Sequence, residues 1–448
     1  MHNADSRGHS ITTESADAAS HIAAAFDSYG KRRTDTMPLL ASALKTDPNC
    51  ALAHAAFGLL LQGAKHQDFQ PKIADALALA QKNYANVSLR EQRYIDALSF
   101  AIHGKLDKVV ACYEAILDEH PTDLFALSLC QSELFWLGDM PKAETISAKT
   151  AKHWHQAIPG YGEFLAVRAF DLEEAGKFTE AEAAGREAVE IDASNIWATH
   201  AVTHVLHMQA RFDEGIQWID GLQDQWADLN QIKLHVWWHK GLFHLERGET
   251  DAVLEAYDNW VRNRSLELVE SMPDLYIDLQ NAASLLWRLE HQGIDVKHRW
   301  QEMAMLVKTR VQDMGSPFTS AHYAIILAAV GDFKHCEILV EHMQDFIQTN
   351  NHTLTHNFSK IALPAAEAAI AHRKGDFQLA VDKLMPVRHS MELMGGSHAQ
   401  QDLFFQILVD AAYQLERTDL IKSLMHEIEM IGFIEPTQRS AYKAAASL

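Results

Sequence analysis

The sequence predicts an all-α fold in which pairs of helices repeat along the chain. A short turn phrase recurs, and its first five copies begin at intervals of 34, 38, 34 and 38 residues. Apolar stretches of helical length precede the phrase and amphipathic stretches follow it. Proline and glycine number only 11 and 21 among 448 residues, which disfavours an all-β fold because such folds need many turns.

The turn phrase begins with a small residue that relieves the backbone between two helices, and several copies have a second small residue five positions later. A period near 34 residues with this phrase is the signature of tetratricopeptide repeats. We therefore expect a right-handed superhelical solenoid of tetratricopeptide-like helix pairs, each burying its apolar face against its neighbours. The copies are GKLDKVV from Gly104, GDMPKAE from Gly138, GKFTEAE from Gly176, ARFDEGI from Ala210, GETDAVL from Gly248, GDFKHCE from Gly331 and GDFQLAV from Gly375.

Other segments mark the ends and irregularities of the array. The stretch HPTD at 120–123 supplies a proline stop and an aspartate cap for the next helix. Residues 260–316 depart from the period and indicate insertions, and MGGSHAQQD at 394–402 indicates one more glycine turn. Residues 1–18 have no periodic apolar face, so we expect a disordered or loosely attached tail, followed by a single solenoid domain over 19–448.

Charge and cysteine usage restrict the classes of function. The net charge of −21 disfavours binding to nucleic acid or to an anionic membrane surface. The N-terminus lacks a basic-then-apolar signal, and no apolar run approaches the roughly 20 residues that span a bilayer. Buried, unpaired cysteines in a reducing compartment are expected at Cys50, Cys112, Cys130 and Cys336, which indicates a cytoplasmic protein.

Histidines recur on two segments that otherwise have the composition of buried helices. In WATHAVTHVLHM, His200, His204 and His207 fall at i, i+4 and i+7, and in HVWWH, His235 and His239 are four residues apart. Counted from the turn residues, both HxxxH pairs fall on inner-face positions of successive first helices. Packed helices lie roughly 8–10 Å apart, so we expect both pairs to converge in one internal pocket.

Three interpretations of this histidine group stay open. In the first, His200, His204, His235 and His239 bind a divalent transition metal such as zinc, although the HExxH motif is absent. In the second, acid–base chemistry proceeds without a metal. In the third, the imidazoles are interior side chains satisfied by carbonyls or carboxylates. The candidate catalytic residues are His200, His204, His239 and Asp278.

Further residues are candidates for the wall of the pocket. Trp238 falls at an inner position beside His235, and His322 falls at an inner position of a later repeat. Glu174 and Asp402 are candidate carboxylates, and Asp402 can equally be a simple helix-turn carboxylate. A phosphate-binding glycine loop, a GxSxG elbow and a dinucleotide fingerprint are all missing from the sequence, which disfavours nucleotide or serine-hydrolase chemistry.

Taken together, several stretches resemble the tetratricopeptide repeat protein 38 family. The resemblance implies the helical-repeat fold, and it carries over no reaction. Family-like histidines stand at His200, His204, His235 and His239, whereas His207 stands where the family commonly has glutamate, so no ligand role extends to it. The stretches are REQRYIDAL, ILDEHPTDLFAL, WATHAVTHVLHM, HVWWHKGLFHLERGE, SLLWRLEHQG with HRWQ, and GGSHAQQDLF, and they run from about residue 90 to 415.

Two classes of function follow from these patterns. In one, the solenoid encloses a histidine-rich pocket for a small molecule or a metal ion, with or without catalysis. In the other, it is a non-catalytic scaffold that binds a peptide or protein partner on its concave face. The histidines and the irregular segments favour the pocket. Whether the chain is an enzyme, and whether it forms homo-oligomers, stays open.

Overall fold

The computed structural model describes residues 3–431 and 435–448, and over these residues the prediction of an all-α helix-pair fold is confirmed. No β-strand occurs in the described part of the chain, where two isolated β-bridges join Ala4 to Ser10 and Arg33 to Leu229. None of the helices in residues 3–431 and 435–448 is long and apolar enough to cross a membrane. All four cysteines are buried and free, as expected.

The chain divides into two compact units. The first unit takes in the described residues up to Val202, with Gln225–Ile232 and Asn351–Leu354. Its helices are α1 (Ala16–Gly30), α2 (Thr36–Thr46), α3 (Ala51–Gly63), α4 (Gln70–Gln81), α5 (Leu89–Ile102), α6 (Leu106–Glu119), α7 (Leu124–Leu137), α8 (Met140–Ala151), α9 (Tyr161–Glu174) and α10 (Phe178–Ile191). Successive helices pack in pairs, such as α5 with α6 and α9 with α10.

The second unit takes in Thr203–Asp224, Lys233–Asn350 and the described residues from Thr355 onward. Its boundary with the first unit falls within α11 (Ile196–Met208). The helices that follow are α12 (Phe212–Leu222), α13 (Ile232–Glu246), α14 (Thr250–Ala256), α15 (Glu267–Ser271), α16 (Tyr276–His291), α17 (Lys297–Val307), α18 (Pro317–Ala329), α19 (Phe333–Thr349), α20 (Thr355–Asn357), α21 (Leu363–Lys374), α22 (Phe377–Leu384), α23 (His398–Gln414), α24 (Thr418–Ile431) and α25 (Lys443–Ala446).

The residue that opens each turn phrase adopts a left-handed backbone conformation. The φ angles of the six glycines and of Ala210 range from 53° at Ala210 to 80° at Gly375. Gly104 has a second requirement, because a Cβ atom there would lie 1.9 Å from the His352 ring. The repeated phrase therefore marks real helix-to-helix turns, and at Gly104 the neighbouring loop also excludes a side chain.

The irregular region predicted at 260–316 is only partly irregular. A π-helical turn, Tyr257–Val261, ends the α14 segment and is followed by the short α15. From there α16 and α17 form an ordinary packed pair. The departure from the repeat is therefore concentrated before α16, where Arg262 is buried and its guanidinium binds both oxygens of Glu302, at 2.7 and 3.0 Å.

The N-terminal segment is hydrogen-bonded to helices of the first unit. Thr12 donates its backbone N–H and its hydroxyl to the two oxygens of Glu91, at 2.8 and 2.6 Å. Arg7 binds Asp27 at 2.9 Å, and Ile11 is 3 % exposed. The tail expected over residues 1–18 is thus attached to the first unit over residues 3–15, and α1 begins at Ala16.

Candidate functional site

The two histidine-bearing segments form the buried helices α11 and α13. Apolar side chains surround the histidines on both helices, and Val202, Val205 and Val236 are fully buried. The exposed fraction is 1 % for His204, 4 % for His235 and 0 % for His239. A four-residue spacing places two side chains on one helix face, so each HxxxH pair presents two imidazoles in the same direction.

Three imidazoles of the second unit form a compact group. The ring centroids of His204 and His239 lie 4.4 Å apart, and those of His235 and His239 lie 4.7 Å apart. One ring nitrogen from each lies within 4.8 Å of the others. His200, one turn before His204 on α11, lies on the other side of the unit boundary and belongs to the first unit. Within the first unit His200 packs against Trp197, with ring centroids 4.9 Å apart.

Asn281 orients one of these imidazoles. The Nδ1 atom of His235 lies 3.0 Å from the side-chain oxygen of Asn281 on α16, so the neutral ring donates from Nδ1. The lone pair of the neutral ring is then on Nε2, and partners of this kind fix the tautomer of metal-binding histidines. Burial lowers the pKa of His235 to about 3, with a further contribution from His204. The ring is therefore neutral, as a metal ligand must be.

Trp238 packs against two of these imidazoles. Its ring stacks on His235, with centroids 5.1 Å apart and an angle of 16°, and meets His239 edge-on at 4.7 Å. The side chain is fully buried, and its Nε1 donor has no hydrogen-bond partner among the described residues. A donor left open in this position can serve a bound ligand or an ordered water molecule.

Asp278 is a buried carboxyl group one helical turn before Asn281. It is 0 % exposed, and within the described chain neither carboxyl oxygen has a hydrogen-bond partner. Burial raises the pKa of Asp278 to about 7, although Arg262 opposes the shift. A carboxyl group that exchanges its proton near neutral pH suits general acid–base chemistry.

His207 lies at the edge of the group. Its ring centroid is 6.4 Å from that of His239. Its nitrogens do not belong to the group formed by His204, His235 and His239. Burial lowers the pKa of His207 to about 3, and Arg439 lowers it further. In the described residues its Nδ1 has no hydrogen-bond partner, so His207 is a neutral wall residue of the interior.

The other predicted pocket residues have different surroundings. His322 on α18 is 1 % exposed, its Nδ1 lies 2.9 Å from the carbonyl oxygen of Phe318, and its ring packs against Phe404. Burial lowers the pKa of His322 to about 4. Glu174 is the half-buried last residue of α9 and lies in the first unit. These surroundings give His322 a packing role and place Glu174 at a helix end.

Asp402 takes part in an ion-pair network with the C-terminal segment. Arg439 lies 2.8 Å from Asp402 and 2.9 Å from Glu246, and the Tyr442 hydroxyl also donates to Asp402. Burial would raise the pKa of Asp402, but Arg439 and the neighbouring Arg288 hold it at about 2. Asp402 is therefore a permanently charged anchor for residues 435–448.

Sequence reasoning missed Asn281, Arg262 and Arg439. Asn281 carried a usable signal, because YIDLQN places it three residues after Asp278 on the same helix face. Arg262 lies in the irregular segment before α16, where no repeat position predicts its direction. Arg439 follows the repeats, so periodicity gave no indication of where it would dock.

No family model matches the chain. Similar solved structures include yeast Tom70, with 14 % identity and a TM-score of 0.39 over 96 % of this chain and 87 % of that one. The human IFIT1 dimer with m7Gppp-AAAA has 13 % identity and a TM-score of 0.39 over 94 % of this chain and 99 % of that one. The Naa15/Naa10 structure bound to HypK-THB has 12 % identity and a TM-score of 0.25, covering 92 % and 68 %.

Proposed function

We propose that this chain is a helical-repeat protein that binds a divalent transition-metal ion, such as zinc, at the buried histidine group. The observation that carries the proposal is the convergence of ring nitrogens from His204, His235 and His239 within 4.8 Å. His200, a ligand candidate from the sequence, lies in the first unit and is not counted in this site. Zinc takes imidazole nitrogen at about 2.0–2.1 Å, so ligand nitrogens around a tetrahedral ion lie roughly 3.3 Å apart. Binding therefore requires side-chain rotations that bring the nitrogens from within 4.8 Å to this spacing.

The surroundings favour an ion over simple packing. Imidazoles from two helices, α11 and α13, meet in a buried space lined by Trp238. One cation satisfies several ring nitrogens at once, and the Asn281 contact leaves the Nε2 atom of His235 as the ligand atom. An all-imidazole donor set suits zinc and its neighbours in the transition series better than magnesium or calcium.

We further propose that Asp278 is the acid–base group of this site. It lies on the helix that orients His235, it is fully buried, and its proton is exchanged near neutral pH. Zinc lowers the pKa of a bound water molecule, and a nearby carboxylate can then accept that water's proton. The reaction class this supports is metal-assisted hydrolysis of a small molecule. The family proposal is the tetratricopeptide repeat protein 38 family, supported by the sequence stretches quoted above.

Elemental analysis tests the metal proposal directly. Protein purified without an affinity tag, incubated with Zn²⁺ and desalted, is expected to retain about one equivalent of zinc per chain. His204→Ala and His239→Ala are expected to lose it, because each removes one of about three first-shell ligands. His322→Ala is the matched control, since it removes a buried imidazole of the same unit that is bonded to Phe318.

The outcomes separate the interpretations. The site is supported if the wild type and His322→Ala retain zinc while His204→Ala and His239→Ala lose it. A wild-type chain that retains no zinc overturns it. In that case a fall of about 1–3 kcal/mol in the unfolding free energy of His204→Ala would indicate a structural imidazole with buried partners.

A further inference from the structure

The second unit contains another cleft, separate from the residues of the histidine group. Its volume is about 690 Å³, and its walls come from the ends of α16 and α21, from α22 and α23, and from the C-terminal segment. Aromatic side chains on these walls are Trp287, Phe377 and Tyr413, and the polar ones include His291, His372 and Asp410. This combination of apolar surface with a few converging polar groups is typical of a small-molecule site.

Asp410 is the charged centre of this cleft. The Nε2 atom of His372 lies 2.6 Å from one carboxylate oxygen, and Nδ1 of His291 lies 3.6 Å from the other. Gln414 donates to Asp410 at 3.2 Å. Burial would raise the pKa of Asp410, but the hydrogen bond from His372 and the charge of His291 outweigh it, so the pKa lies below its ordinary value. The carboxylate is therefore ionised at neutral pH.

Asp410 keeps acceptor capacity for a ligand. An ionised carboxylate offers about four lone-pair positions, and the described contacts occupy at most three. The other charged groups facing the cleft, Glu290 and Arg373, neutralise each other at 2.6 Å. Among the residues that line the cleft, Asp410 is therefore the carboxylate that no lysine or arginine neutralises.

The aromatic residues complement this charge. Tyr413 is 40 % exposed, so one of its faces is available to a ligand. Trp287 stacks under His291, with ring centroids 5.2 Å apart, and Phe377 lies edge-on to His372 at 5.4 Å. Aromatic faces attract cations, and the net charge of −21 on the chain favours cationic ligands over anionic ones.

We infer that this cleft binds a small organic cation, an ammonium group carried on an aromatic or aliphatic body. The ammonium donates to Asp410, and the apolar body packs against Tyr413 and Phe377. Protonation of His291 adds a positive charge beside Asp410, so binding weakens as the pH falls. The inference does not depend on the metal site, because the cleft shares no residue with the histidine group.

The test uses phenethylammonium as the probe and 2-phenylethanol, which has the same ring and chain length without the charge, as its matched ligand. Isothermal titration of the full chain at pH 8 is expected to show binding of phenethylammonium and at least about tenfold weaker binding of the alcohol. Asp410→Asn is expected to lose about tenfold in affinity, because a charge-assisted hydrogen bond becomes a neutral one. Affinity of the wild type is expected to fall between pH 8 and pH 5.5.

Two further variants keep the inference falsifiable if Asp410→Asn does not fold. Tyr413→Ala removes a partly exposed ring and is expected to weaken phenethylammonium binding about threefold or more. Asp382→Asn, an exposed carboxylate on the neighbouring α22, is the control and is expected to bind as the wild type does. Three outcomes would each overturn the inference. They are equal binding of the amine and the alcohol, unchanged affinity in Asp410→Asn or Tyr413→Ala, and an absence of phenethylammonium binding at millimolar concentration.

Discussion

Asp278 couples the candidate site to the pH dependence of stability. Its pKa is raised from 3.8 to about 7 because burial penalises the charged form. Below about pH 4 the group is neutral in both the folded and unfolded states. Between these two pKa values the unfolded chain releases the proton while the folded chain keeps it, so this contribution to stability falls as pH rises. Above about pH 7 both states are ionised, and the contribution of Asp278 to stability no longer changes with pH.

Asp278→Asn is therefore expected to be more stable than the wild type at pH 8, by on the order of 2 kcal/mol, and similar to it at pH 4. The amide cannot ionise, and it is close in size to the carboxyl group. Urea denaturation of the metal-free proteins at pH values from 4 to 8 measures the difference. Parallel curves for the two proteins across this range would show that the pKa of Asp278 is not raised in the folded chain. Asp382→Asn, on an exposed position, serves as the control.

Single residues also show what the sequence could and could not reveal about the site. The two HxxxH pairs and Trp238 were predictable, because helical spacing fixes which side chains share a face. Asp402 was predicted as a pocket residue from its place after a glycine turn, but its direction depends on Arg439, which lies 37 residues later. A side chain whose partner lies in a distant, non-repeating segment has no local signal in one sequence.

The turns between helices provide a paired test of the repeat. Gly104 and Gly176 have φ angles of 66° and 74°, but only at Gly104 would a Cβ atom collide, with the His352 ring. Gly176→Ala is expected to lower the unfolding free energy by about 1 kcal/mol, the cost of a left-handed alanine. Gly104→Ala is expected to cost more, because His352 must also move. Thermal melts of the two variants measure this, and equal losses would contradict the role assigned to His352.

The N-terminal segment gives a second prediction at the scale of elements. Deleting residues 1–15 removes both hydrogen bonds that Thr12 donates to Glu91. The Glu91 side chain is 0 % exposed, and its hydrogen bonds with Ser88 remain. A buried carboxylate that loses partners is costly, so the deletion is expected to lower the unfolding free energy by about 1–3 kcal/mol. Thr12→Val, which removes one of the two donors, is expected to show a smaller part of the effect. A deletion variant with unchanged stability would mean that these contacts contribute nothing.

Helices and turns were the most predictable level of this fold. Each turn phrase combines local chemistry with a repeated period, so one sequence contains the same signal several times. The docking of residues 3–15 was not predictable, because Thr12 and Glu91 are 79 residues apart and belong to no repeated pattern. Their pairing depends on which polar atoms the packed helices leave accessible.

At the scale of the whole molecule, polar contacts join segments that are distant in sequence within each unit. In the second unit the C-terminal segment returns to α13 and α23, where Arg439 lies between Glu246 and Asp402. Gln292 on α16 donates to Ser440 at 3.1 Å. The same segment forms one wall of the cleft around Asp410, so its docking both completes that cleft and covers charged groups near His207.

Arg439→Ala tests this docking. The side chains of Arg439, Glu246 and Asp402 are 13 %, 4 % and 18 % exposed. The variant therefore leaves Glu246 poorly solvated and without this cation, and leaves Asp402 with Arg288 at 3.8 Å. Removing one partner of a buried ion pair costs about 3–5 kcal/mol, and the lower end applies here because Arg439 and Asp402 are partly exposed. The double variant Arg439→Ala, Glu246→Gln is expected to lose less unfolding free energy than the sum of the two single variants, because the carboxylate left without its cation is removed together with the arginine.

Hydrogen exchange in Arg439→Ala is expected to show weakened protection in α13 and α23 and unchanged protection in helices α1 to α8. A uniform change in exchange along the chain, or strictly additive losses, would mean that Arg439 does not hold the C-terminal segment in place.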